Sequence, residues 1–167
     1  MSKFKKPGLR RGGFLRSVVW AMMLGGVALC TAGTLPNARA DAAGTIVVGN
    51  DRGGFIRARL REMQRIRASG DRVEIRGRVC FSTCTMYLGA EDICVSPKTT
   101  FGFHGPAMAI GRLTPEQFDY LSKLIASHYP EPLANWYMAE GRMRTSGLYR
   151  MSGSDLIRLG VPRCQNG

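Results

Sequence analysis

Three features of the sequence carry residue types that can do joint chemistry. Ser82 stands in Cys80-Phe81-Ser82-Thr83-Cys84-Thr85, between a strand-like and a helix-like segment. His104 closes a later strand-like run, in Phe101-Gly102-Phe103-His104-Gly105-Pro106. Gly53-Gly54 follows the first strand-like run. A serine at a helix start sits beside N–H groups that lack intrahelical acceptors, near the positive end of the helix dipole. Such donors stabilise an alkoxide and a developing oxyanion. A neutral imidazole within reach takes the hydroxyl proton and later returns it to a leaving group. Taken singly, each feature has a plainer role: a helix cap, a turn, a structural histidine. Taken together and in this order, Ser82 and His104 form a candidate catalytic dyad for acyl transfer.

The elements that must position them follow from hydrophobic patterning. Thr45–Gly49 is short and β-branched, which predicts a buried strand, and residues 50–54 form a turn. Ile56, Leu60, Met63 and Ile66 then recur at helical spacing, with Arg57, Arg59, Arg61, Arg65 and Arg67 on the other faces. This predicts an amphipathic helix with a solvated basic side, stopped at Gly70. Val73–Val79 alternates and predicts a second strand. A short helix over 82–90, a strand over 93–95 and a strand over 100–103 follow. Thr114-Pro115-Glu116-Gln117 is a capping box with proline at the first helical position. It opens a helix to about Tyr129 that packs Phe118, Leu121, Leu124 and Ile125. Leu133–Ala139 and a segment opened by Ser152-Gly153-Ser154-Asp155 are further helices. This order implies parallel strands with right-handed crossovers, hence an α/β fold in one domain.

These residues carry a resemblance. The Gly-Gly turn before an amphipathic helix, the serine at a strand-to-helix turn and the histidine in a strand-ending segment resemble the Clp-protease/crotonase superfamily, especially its small exported Clp-like members. Gly54 precedes Ser82 by 28 residues, and Ser82 precedes His104 by 22. Val95-Ser96-Pro97 before Phe103-His104-Gly105-Pro106 is similar to the family's strand–Pro–strand–His run. The match covers 45–106, with a weaker echo over 151–162. The resemblance implies a parallel-sheet fold with crossover helices. It also implies oxyanion donors from the backbone N–H groups of Gly54 and Thr83. The family's third member is an Asp shortly before its terminal Met-Ser segment. Here Thr145–Arg150 holds no acid. Asp155 is the candidate orienter of His104, or else a capping acid; Glu140 and Asp119 rank below it, and a carbonyl or polar group is the other substitute.

The chain has 167 residues, 44% of them hydrophobic, and a formal net charge of +12. Length allows one compact domain, and the apolar fraction excludes a disordered tail. Residues 1–40 hold seven basic groups and no acid, leaving +5 on residues 41–167. That division weakens a nucleic-acid reading. Lys3–Arg16 is cationic, Val18–Ala32 is uncharged and mainly apolar, and Ala38-Arg39-Ala40 supplies small residues before Asp41. This layout predicts a secretory signal peptide over 1–40 and a domain over 41–167, placed in the periplasm or secreted. The competing reading is an uncut membrane anchor, for which the apolar run is shorter than the ~20 residues a span needs. Val27-Ala28-Leu29-Cys30 resembles a lipoprotein site, but Leu29 is too large for the usual small residue.

Residues 41–167 keep Cys80, Cys84, Cys94 and Cys164. Four thiols in an exported domain favour two disulfides, with three connectivities open. A zinc site is the alternative; it lacks a C-x2-C pair, so the expectation is no metal and no cofactor. Three functions compete. One is an exported serine hydrolase, peptidase-like, acting on a peptide or protein. The second is an inactive Clp-like envelope module that binds such a partner. The third is an acyl-CoA-handling crotonase, against which export argues. An oligomer is compatible with all three, and membrane contact is expected only through an uncleaved N-terminal segment. Processing is testable: intact mass of the exported protein should match a chain starting at Asp41, and a species retaining residues 1–40 would favour the anchor.

Overall fold

The computed structural model describes residues 43–165. The cationic and apolar N-terminal segment, Cys30 and the expected cleavage point before Asp41 lie outside the described residues. The described chain runs β1 (Thr45–Val48), α1 (Ile56–Ser69), β2 (Arg72–Ile75), β3 (Val79–Phe81) and a 3₁₀ helix (Ser82–Gly89). It continues β4 (Ile93–Val95), β5 (Thr100–Phe103), α2 (Pro115–Ala126), α3 (Glu131–Ala139), a 3₁₀ turn (Gly141–Met143), β6 (Tyr149–Ser152) and α4 (Gly153–Arg158). The class is α/β, as the patterning implies.

The strands form two three-stranded sheets rather than one. The first has the order β1-β2-β4, all parallel, with Thr45 opposite Arg72 and Ile75 opposite Val95. The second has the order β3-β5-β6, in which β3 and β5 are parallel and β5 and β6 antiparallel. The single strand expected over Val73–Val79 is therefore corrected to two. The N–H groups of Arg76 and Gly77 both donate to the Val48 carbonyl, at 3.0 and 3.1 Å. The chain thus crosses the end of β1 and re-pairs in the second sheet. Alternation cannot reveal this, because the side-chain period of two continues through the crossing. β6 also goes beyond the sequence reading. It is an edge strand whose Tyr149, Arg150 and Ser152 are exposed, so it lacks the apolar signature of a buried strand.

The core lies between these sheets and the helices. Val73, Ile75, Val95, Phe101 and Leu156 are fully buried. α1 packs Met63 and Ile66 inward and ends where Gly70 adopts φ 69°, its N–H on the Ile66 carbonyl at 2.9 Å. The capping box of α2 is present, with Gln117 N–H donating to Thr114 Oγ1 at 3.2 Å and Thr114 N–H to Gln117 Oε1 at 2.9 Å. α2 stops at Ala126, short of the expected Tyr129, because the N–H groups of His128 and Tyr129 tighten onto the Ile125 and Ala126 carbonyls. Its inward residues are Ser122, Ile125 and Ala126. Phe118, Leu121 and Leu124, expected in the core, are only half-buried.

Two disulfides close the fold, Cys80–Cys84 and Cys94–Cys164. They point to an oxidising, extracellular-type environment. The sulfurs so paired carry no thiolate for a metal. No helix among the described residues is long and apolar enough to cross a membrane. Cys94–Cys164 ties β4 to the C-terminal segment across 70 residues, whereas Cys80–Cys84 spans four. Loop entropy alone makes these bridges worth about 4 and about 2 kcal/mol. Urea denaturation should therefore find Cys94→Ala/Cys164→Ala the more destabilised double variant; the opposite order would show that local packing around the bridges dominates.

Candidate active site

Parallel pairing brings the two candidate residues together. Phe81 lies opposite Gly102, so Ser82 follows β3 level with Phe103, and His104 leaves β5 one residue further on. Both emerge at the carboxyl ends of neighbouring strands, where α/β sheets place their ligands. Ser82 Oγ lies 2.7 Å from His104 Nε2. His104 Nδ1 lies 2.6 Å from the Gly105 carbonyl oxygen. A carbonyl only accepts, so Nδ1 carries the proton and donates it. Nε2 is then left with its lone pair facing Ser82, and the hydroxyl donates to it. The Gly105 carbonyl therefore stands where an acid was sought.

The histidine segment is held on several sides. The Tyr137 hydroxyl donates to the His104 carbonyl at 3.1 Å, and Gly105 N–H donates to the Arg144 carbonyl at 3.0 Å. A Cβ on Gly105 would sit 2.1 Å from the Arg142 carbonyl, so only glycine fits this approach.

The serine turn is strained and braced. Ser82 has φ 57°, the one non-glycine residue at positive φ among the described residues. That conformation costs about 1–2 kcal/mol. Such outliers persist where the surroundings over-determine them. Here the Cys80–Cys84 disulfide brackets Ser82, and the Thr85 hydroxyl donates to the Ser82 carbonyl at 2.6 Å. Thr85 also shares a 2.6 Å hydrogen bond with the Tyr129 hydroxyl, whose pKa burial pushes well above the ordinary phenol value.

The Gly53-Gly54 loop approaches the same turn. Gly53 has φ 91°, and a Cβ there would lie 2.6 Å from the Ser82 Cβ. Gly53 N–H donates to Asp51 Oδ1 at 2.7 Å, and Asp51 Oδ2 pairs with Arg59 at 2.5 Å. Arg59 also pairs with Glu62 at 2.8 Å and lies 4.0 Å over the Tyr87 ring. The Tyr87 hydroxyl donates to Glu62 at 2.5 Å. Arg59 is 8% exposed, which corrects its reading as part of a solvated face. It lies four residues before Met63 and three after Ile56, so it shares the inward stripe of α1. Asp51, Arg59 and Tyr137 support the candidate site through these contacts, which the sequence reading did not assign them. An Asp two residues before a glycine is an Asx-turn signal and made Asp51 legible.

The expected oxyanion donors flank the dyad. The Gly54 N–H has no acceptor among the described residues. Thr83 is the second residue of its 3₁₀ helix, where the i→i+3 pattern has not begun to supply acceptors. The Thr83 hydroxyl reaches the Gly54 carbonyl at 3.4 Å and links the two segments. Together they open on a cleft of about 310 Å³ whose lining includes Gly54, Ser82, Thr83, His104, Met108 and Tyr129.

The remaining candidates lie elsewhere. Asp155 does not orient His104. Its Oδ2 accepts from the Ser152 N–H and hydroxyl, both at 2.7 Å, and its Oδ1 pairs with Arg158. It is the capping acid of α4. Asp119 is engaged by Lys123 and Arg142 at 2.7 and 2.8 Å, and Glu140 is exposed at the end of α3. His128 Nδ1 meets the Leu124 carbonyl at 3.0 Å, a local contact at the end of α2. No group of His, Cys, Asp and Glu among the described residues is arranged to hold a metal ion. No protein-family model and no curated protein matches the chain.

Two variants test this division of roles. Asp155→Asn should leave Ser82 reactivity unchanged and weaken the α4 cap. The Ser152 hydroxyl and N–H hold the Asp155 carboxyl below the usual range. Its folded pKa is thus depressed, so its contribution is present above the unfolded carboxyl pKa and is lost as pH falls through the folded value. Thermal melts should show the variant's deficit at neutral pH and little deficit in acid. A steep loss of Ser82 labelling would restore Asp155 to the site. Gly53→Ala should do the reverse and abolish labelling, since its Cβ collides with Ser82 itself; full labelling would mean that the loop yields freely.

Proposed function

We propose that this protein is an exported serine hydrolase, peptidase-like, with a Clp/crotonase-like fold. The observation that carries the reading is the 2.7 Å contact between Ser82 Oγ and His104 Nε2, with Nδ1 committed to a carbonyl. Support for the fold comes from parallel strands that deliver a serine at a strand-to-helix turn and a histidine beside it. In the proposed reaction His104 Nε2 takes the hydroxyl proton as Ser82 Oγ attacks a substrate carbonyl. The carbonyl oxygen becomes an oxyanion facing the N–H groups of Gly54 and Thr83. The imidazolium returns its proton to the leaving group, and an acyl-serine remains. Water then enters by the same route in reverse, and acid is released. A neutral carbonyl at Nδ1 fixes the tautomer but offsets the imidazolium charge less than a carboxylate does. Turnover should therefore be slow beside that of a full triad.

A second reading is a catalytically inactive Clp-like envelope protein that binds a peptide or protein partner; the absence of a carboxylate at Nδ1 favours it. A fluorophosphonate probe separates the two. The folded, oxidised protein should label at Ser82. Ser82→Ala should abolish labelling, and His104→Ala should slow it by about 10²–10⁴-fold. On a peptide and ester panel the double variant should be little worse than either single one, because the pair acts as a unit. An unreactive Ser82 in correctly folded protein would leave the binding module.

A further inference from the structure

The Ser82–His104 cleft does not end at the dyad. It runs on into a groove of about 850 Å³ between α1, α2 and the segment that follows Pro106. The two share Gly54, Phe55, Ile56 and residues 107–109 as walls. The groove floor and sides are apolar: Phe55, Leu60, Met108, Tyr120, Leu121 and Leu124. Phe55 is 77%, Met108 52% and Tyr120 66% exposed, so three of the large apolar groups exposed among the described residues gather at this groove. Leu121 and Leu124 belong to the α2 stripe that patterning assigns to the core and the fold leaves half-buried.

One edge of this apolar groove is cationic. Arg57 and Arg61 line it, and no carboxylate does. They stand four residues apart on α1, so their side chains lie one above the other. Neither has an ion-pair or hydrogen-bond partner among the described residues, whereas Arg59 between them pairs through its two terminal nitrogens with Asp51 and Glu62. Like charges at this spacing repel. An anion on the groove would remove that repulsion and gain two charge-assisted contacts.

The wall also favours a peptide over an acyl chain. Residues 107–110 are exposed, and their backbone N–H and C=O groups have no hydrogen-bond partner among the described residues. An extended peptide pairs with such groups, and a hydrocarbon chain does not.

We propose that the groove selects the substrate: an extended peptide that lays apolar side chains between α1 and α2 and sets acidic side chains against Arg57 and Arg61. This rests on the hydrolase reading only for what happens to the peptide afterwards, so binding is measured apart from turnover. The probe is a fluorescent, end-blocked hexapeptide of leucine and alanine with two glutamates. Its counterparts carry glutamine or lysine instead. Anisotropy is read on the full chain bearing Ser82→Ala, with and without Arg57→Gln/Arg61→Gln, and circular dichroism checks the fold of each.

The glutamate peptide should bind about tenfold more tightly than the glutamine one, as two exposed ion pairs allow. The margin should shrink at high salt and vanish in the arginine double variant. Equal binding of the three peptides, or a margin that survives the double variant, overturns the proposal. So does absence of peptide binding, whether with a concentration-dependent dimer in sedimentation or with adhesion to anionic vesicles that the arginine variant loses. Those results give the groove to a second copy or to a membrane. Fluorophosphonate labelling of the unsubstituted chain separates the two readings. Labelling without peptide discrimination sinks the groove alone, and discrimination without labelling sinks the hydrolase alone.

Discussion

The parallel ladder between β3 and β5 is the constraint on which the rest depends. Ser82 and His104 are 22 residues apart in the chain, and neither lies on a rigid element long enough to reach the other. Three ladder positions, from Val79 with Thr100 to Phe81 with Gly102, bring their exits level. A slip of one residue would set a phenylalanine where Gly102 now makes room for the Phe81 ring, which a Cβ there would meet at 2.6 Å, so packing holds the register. The crossing at residues 76–78 serves the same end, since it moves the chain from the first sheet to the second in time for β3 to meet β5.

Around that ladder the polar groups hold backbone segments in place rather than set charge beside Ser82 and His104. Asp51 holds the Gly53 turn and is itself held by Arg59, which is sandwiched by Glu62 and the Tyr87 ring. Tyr137 and the Arg144 carbonyl hold the His104–Gly105 segment. The bracketing disulfide and Thr85 hold Ser82 at its positive φ. Each group holds a backbone segment of the candidate site in place. The neutral carbonyl on Nδ1 is consistent with this economy. It selects the tautomer by accepting only, and it leaves the site without a buried carboxylate that would need its own partners.

The charge of the domain is likewise unevenly used. On α1 the arginine that falls on the inward stripe is desolvated, paired and structural, while its neighbours at i−2 and i+2 remain solvated beside the apolar groove. The same residue type on the same helix therefore serves two physical ends, decided by rotation about the helix axis.

Much of this was legible from residue order. Periodicity and turn residues determined α1, the capping boxes of α2 and α4 and the short strands, because these depend on contacts within a few residues; β1, expected to be buried, is instead a sheet edge with Thr45 and Val47 exposed. Ser82 and His104 were legible as candidates because each stands where a strand-like pattern breaks. That four cysteines pair was legible from compartment and number; which pairs form was not, because pairing depends on which strands end side by side. Only the tertiary structure decided that residues 73–79 split between two sheets, that Tyr149–Ser152 closes the second as an antiparallel edge, and that Asp155, legible as a capping acid, has no second role at His104. Only it decided that a main-chain carbonyl faces Nδ1, since every residue has one and no side-chain pattern marks the one that is used. The burial of Arg59 and the exposure of Leu121 and Leu124 belong to the same class: periodicity names a face, but what covers that face is set by elements distant in the chain.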